Sequence, residues 1–97
     1  MLVIFFGSTF SYLSPELVEE NYCPPEADLW ALGCIIYQLY YRESPFKDHH
    51  EFAVYEKIKR CEVEFPKNKD ISEEAIDLIK KLLKKNPDER LGSGKTP

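Results

Sequence analysis

The chain has 97 residues, 43% of them hydrophobic and 31% charged, with a net charge of −4. That suffices for one small globular domain and excludes a disordered or low-complexity chain. Five of the 17 acids (Glu16, Glu19, Glu20, Glu26, Asp28) stand in residues 1–41 without a Lys or Arg. The other twelve acids nearly balance the 13 bases of residues 42–97, so no basic stripe points to nucleic acid.

The first six residues, "MLVIFF", are apolar but lack the basic start and the longer apolar core of a secretory signal. Ser14 is a natural helix N-cap and Pro15 a favoured first helical residue, which predicts a short helix over 15–20. "CPP" at 23–25 breaks the chain. From Glu26 to Tyr41 the sequence is apolar on every side apart from Asp28 and Gln38, the pattern of a helix buried all round. The run is too short to span a bilayer, which takes about 20 residues. It leaves two questions: why a carboxylate stands at its start, and why Gly33 stands in its middle.

"RESPF" reads as a turn, because Ser44 before Pro45 is pushed away from helical geometry. A helix is predicted over 50–60, with Phe52, Val54, Tyr55 and Ile58 as its apolar side. "CEVEF" alternates and places Cys61, Val63 and Phe65 on one side of an extended stretch or short strand. Ser72 caps a last helix over 72–84, with acids in its first turn and lysines in its second half, the order that suits the helix dipole. Its apolar face is Ile76, Ile79, Leu82 and Leu83. "NPDERLG" is a turn.

Cys23, Cys34 and Cys61 are read as reduced thiols of a cytoplasmic protein. No Cys-x-x-Cys occurs, and the neighbours His49 and His50 would point apart on a helix, so no zinc site is expected. "GSGKT" at 92–96 lacks the glycine a phosphate loop needs, because that position is Glu89. A helix buried on all sides needs more neighbours than three short helices supply, which is a first sign that the chain is part of a larger body.

Four stretches, taken together and in order, resemble the C-terminal lobe of eukaryotic protein kinases. Ser14-Pro15-Glu16 is similar to the family's Ala-Pro-Glu, and Asp28-Leu29-Trp30-Ala31-Leu32-Gly33 to its Asp-x-Trp-x-x-Gly. Pro45-Phe46 matches the turn before the next helix, and Arg90 in "DERLG" matches the family's late arginine. The serine variant of the first motif and the run "DLWALGCIIYQL" most resemble the phosphoinositide-dependent protein kinases, in the group that also holds the cyclic-AMP-dependent enzyme.

The expected fold is therefore mainly α, a partial C-terminal lobe of the protein kinase-like fold spanning residues 7–97, with 1–6 as an unrelated or misjoined stretch. The resemblance implies part of a serine/threonine protein kinase, an enzyme that transfers the γ-phosphoryl of ATP to protein Ser or Thr with Mg2+. It implies that Asp28 anchors the catalytic loop; the residues alone also allow Asp28 simply to charge its helix N-terminus. Thr9, Tyr12 and Leu13 are implied in the activation segment and in substrate binding, although Ser8 intervenes where the family usually has Gly before that threonine. Gln38 stands where basophilic relatives carry an acid. Glu16 and Arg90 are implied as a buried structural ion pair.

The 97 residues hold no His-Arg-Asp, Asp-Phe-Gly, Val-Ala-Ile-Lys or Gly-x-Gly-x-x-Gly, the motifs that carry base, metal and phosphate in kinases. No catalytic, cofactor-binding or metal-binding residue is therefore expected in this chain. Its expected partners are protein substrates and the N-terminal lobe and catalytic loop of the same kinase, with no nucleic acid and no membrane insertion. A non-catalytic docking module and a truncated gene fragment are the alternative readings.

Overall fold

The structure, a computed structural model, describes residues 13–67 and 70–94. Four α-helices follow one another: α1 (Pro15–Glu20), α2 (Ala27–Tyr41), α3 (Glu51–Arg60) and α4 (Glu73–Leu82). A 3-10 turn over Pro87–Glu89 completes the order. No strand occurs among the described residues, so the fold is mainly α.

The local reasons are legible at the helix ends. Ser72 caps α4, its hydroxyl accepting from the Ala75 N–H at 3.2 Å. Asn86 caps the 3-10 turn in the same way, accepting from the Asp88 N–H at 3.0 Å. α1 ends at Asn21, which takes a left-handed φ of 53°. There the Asn21 and Tyr22 N–H groups close onto Leu17 O and Glu16 O, satisfying carbonyls the helix leaves open.

α4 packs against α2, and α1 against α3. The core joins Trp30, Cys34, Tyr37 and Tyr41 of α2 to Phe46, Val54, Ile58, Ile79 and Leu83. Tyr37 and Tyr41 lie 4.4 Å apart between ring centroids, and Phe65 meets Tyr37 edge-on at 5.7 Å. The Tyr37 hydroxyl donates to Glu64 O at 2.6 Å and so fixes the segment after α3. Burial, with Tyr41, Glu43 and Glu64 nearby, pushes that hydroxyl's pKa up to about 12. That segment is extended without pairing as a strand. Cys61, Val63 and Phe65 are half-buried and Glu62 and Glu64 exposed, as their alternation requires.

As expected of three short neighbours, the described elements cover α2 on one side only: Leu32, Leu39 and Tyr40 are exposed, Leu39 to 70%. The neighbouring elements lie along the face of Trp30, Cys34, Tyr37 and Tyr41 and leave the opposite one open. One expectation is corrected on α3, where Val54 and Ile58 are the buried pair, one helical turn apart, whereas Phe52 points outward and is 74% exposed.

Gly33 answers to α4. A Cβ added there would stand 2.9 Å from Leu83 Cδ2 and 3.0 Å from Leu82 Cβ. The glycine sacrifices about 1 kcal/mol of helix propensity relative to alanine and lets α2 and α4 approach closely. Gly33→Ala should therefore destabilise the protein by about 1–2 kcal/mol in denaturant melts, the overpacking cost exceeding the propensity gain. An increase in stability would show that α4 yields without cost.

Candidate functional site

The most connected polar group of the described residues is Arg90, wholly buried just after the 3-10 turn. A guanidinium carries five N–H donors and cannot be neutralised in water-accessible pH ranges, so burial demands an acceptor for every one. Each is supplied. Nη1 donates to Glu16 Oε2 at 2.8 Å and to Glu26 O at 2.9 Å. Nη2 donates to Glu16 Oε1 at 2.7 Å and, more weakly, to Lys85 O at 3.5 Å. Nε donates to Lys84 O at 2.9 Å.

The pairing with Glu16 is bidentate, the fork-to-fork geometry that arginine offers and lysine cannot. Glu16 is itself buried, held in the first turn of α1 by Pro15 and the extended Ser14 before it. Burial alone would raise its carboxyl pKa. The hydrogen bonds and charge of Arg90, with help from the α1 backbone and Ser14, outweigh burial and hold it below the ordinary glutamate value. The pair is thus ionised at neutral pH.

Arg90 also lies 5.2 Å from the centre of the Trp30 ring, and Trp30 stacks on Phe46 at 5.3 Å with planes 11° apart. One guanidinium therefore meets α1, the turn before α2, α2 itself and the chain leaving α4. The loop "RESPF" joins through Phe46, which is fully buried. Pro45-Phe46 reads in the sequence as a turn, whereas the stacking of Phe46 on Trp30 and the carbonyls of Glu26, Lys84 and Lys85 as arginine acceptors emerge only from the fold. The signal available for Phe46 was its place as the lone aromatic of a loop between two helices.

Of the other residues singled out in the sequence, Asp28 is half-buried in the first turn of α2, where an acid suits the helix dipole. Leu13 is half-buried, as is Gln38. Thr9 and Tyr12 lie outside the described residues, as does the stretch 1–6. None of the three cysteines forms a disulfide among the described residues; Cys23 is exposed and Cys34 buried. Burial pushes the thiols of Cys34 and Cys61 up, so neither is a thiolate at neutral pH. No helix among the described residues is long and apolar enough to cross a membrane.

These features converge on one family. The chain belongs to the protein kinase domain family, whose model matches residues 5–96. It is 42% identical over 87 residues, 90% of its length, to human 3-phosphoinositide-dependent protein kinase 1. It is 37% identical over 86 residues, 89% of its length, to the serine/threonine-protein kinase PKH1 of Saccharomyces cerevisiae. An Aurora kinase of Candida albicans is 40% identical over 83 residues, 86% of the chain. The chain spans 15%, 11% and 15% of those three proteins in turn. The matched segment is therefore a small part of each.

Removing either partner of a buried pair leaves the other charge uncompensated, at a typical cost of about 3–5 kcal/mol. Glu16→Ala and Arg90→Ala should each destabilise the protein on that scale, and the double substitution should cost clearly less than the sum. Strict additivity in a double-mutant cycle of denaturant melts would contradict the coupling.

Proposed function

We propose that this chain is the substrate-binding half of the C-terminal lobe of a cytoplasmic serine/threonine protein kinase, an enzyme that phosphorylates Ser or Thr of protein substrates. The observation that carries the reading is the enclosed Glu16–Arg90 pair, which ties the segment entering α1 to the turn after α4. In such a lobe the segment that receives the protein substrate runs into α1, and Arg90 holds its far end in register with α2. Thr9, Tyr12 and Leu13 would lie along that segment. Asp28 would accept hydrogen bonds from the backbone of the catalytic loop and hold it in place. The open face of α2, with Leu32, Leu39 and Tyr40 exposed, is where the rest of the lobe would pack.

ATP and Mg2+ belong to the complete kinase. The donor set here does not fit them. Among the described residues no group of three or more His, Cys, Asp or Glu is placed to hold a metal ion. The 97 residues also lack the glycine-rich loop, the phosphate lysine and the catalytic-loop aspartate and asparagine. No step of phosphoryl transfer is therefore assigned to them. Their contribution is to position: a rigid platform under the acceptor hydroxyl, worth having because an oriented reactant spares much of the entropic barrier.

The intact protein should transfer labelled γ-phosphoryl from ATP to Ser/Thr peptides in the presence of Mg2+. Asp28→Ala should lower turnover at least tenfold with little change in the melting temperature. Residues 1–97 alone should bind no MgATP by calorimetry at micromolar concentrations. Phosphoryl transfer by residues 1–97 alone would overturn the reading. So would an intact protein that captures kinase substrates without transferring phosphate, which would mark a docking module instead.

A further inference from the structure

A second surface lies apart from the Arg90 centre. Between the extended segment after α3 and the end of α4 opens a cleft of about 360 Å³. Its floor is apolar: Cys61, Val63, Phe65 and Leu83. Its rim is basic: Lys80, Lys84 and Lys85. We propose that this cleft docks an extended acidic segment of a partner protein, with one aromatic or branched side chain seated on the floor and carboxylates meeting the lysines.

Charge complementarity selects the occupant. Lys80 and Lys84 are exposed, and among the described residues neither forms an ion pair with a carboxylate. Lys85 is shared with Glu19 at 3.4 Å, at the far edge of the rim. The nearby acids of the extended segment do not quench this charge. Alternation sends Glu62 and Glu64 into a different cleft, one also lined by Tyr37 and Lys57, while Val63 and Phe65 face the lysines. The two sides of one extended stretch thus separate an acidic surface from a basic one.

The cleft is also held in shape before anything binds. Lys84 O and Lys85 O both accept from the buried Arg90, which fixes the backbone carrying two of the lysines. The Cys61 thiol donates to Leu83 O at 3.1 Å and joins the two sides of the floor. Lys80 Nζ sits 5.4 Å above the Phe65 ring, its charge held at the mouth. A preformed site spares the ordering cost that weakens flexible ones. An apolar floor alone would suit any hydrophobic side chain; the lysine rim restricts the partner to one with flanking acids.

The test uses the intact protein and a fluorescein-labelled peptide in which one phenylalanine is flanked on each side by three acidic residues. Anisotropy should show saturable binding that weakens as salt rises. Lys80→Glu with Lys84→Glu should weaken it at least tenfold, and Lys80→Gln with Lys84→Gln at least threefold, with melting temperatures unchanged because both side chains are exposed. Replacing the peptide's phenylalanine by alanine should cost at least fivefold. Equal binding of the alanine peptide would reduce the site to a nonspecific cation patch and overturn the proposal. Unchanged affinity in both lysine variants would overturn it too. So would concentration-dependent self-association abolished by the same variants, which would assign the cleft to a second copy of the chain.

Discussion

Burying a guanidinium without an acceptor for each of its donors would cost more than a small domain's whole stability margin. Arg90 therefore imposes a set of simultaneous conditions on distant parts of the chain. α1 must deliver a carboxylate, the turn before α2 must present the Glu26 carbonyl, and the chain leaving α4 must present two more. Few alternative packings meet all of these at once. Such a pair adds little net stability over apolar residues of the same volume, but it discriminates against near-native arrangements in which one acceptor is missing. Trp30 and Phe46 complete the enclosure by keeping water from the charge.

The same arrangement links architecture to function. The segment that reaches α1 is held by Glu16, and α2 is held by Trp30, so the relative placement of the two is set by one residue near the chain's far end. In the proposed kinase, the first of these would carry the protein substrate and the second, through Asp28, the catalytic loop. A platform of this kind needs no reactive group of its own. It needs rigidity, and the close approach of α2 to α4 at Gly33 adds to it.

Much of the local structure is legible in the residues. Ser14-Pro15 opens α1, Ser72 opens α4, and Ile79, Leu82 and Leu83 are the buried side of that helix. The family too is readable, because four short motifs fall in order. Tertiary choices are less so. Phe52 is as apolar as Val54, yet only Val54 and Ile58 align with the core, and spacing alone could not separate the two registers. The all-round apolar pattern of α2 describes what its surface needs; which side these neighbours cover depends on packing. Glu16 and Arg90 are 74 positions apart, so no periodicity or local spacing joins them; only the resemblance suggested the two together. The three backbone acceptors of Arg90 leave no signal in residue type, since carbonyls are common to every position, and Phe46 is marked only as the lone aromatic of its loop.

The central condition of this fold is that all five donors of Arg90 are engaged in solution. Nitrogen-15 NMR of the arginine side chains in the intact protein tests this directly. A guanidinium held at every N–H cannot rotate freely about its C–N bonds, and its protons exchange slowly with water. Arg90 should give separate, slowly exchanging Nη–H resonances at neutral pH, and Glu16→Gln should collapse them toward the averaged signal of the exposed arginines. A single averaged, fast-exchanging Nη signal for Arg90 in the unaltered protein would contradict it.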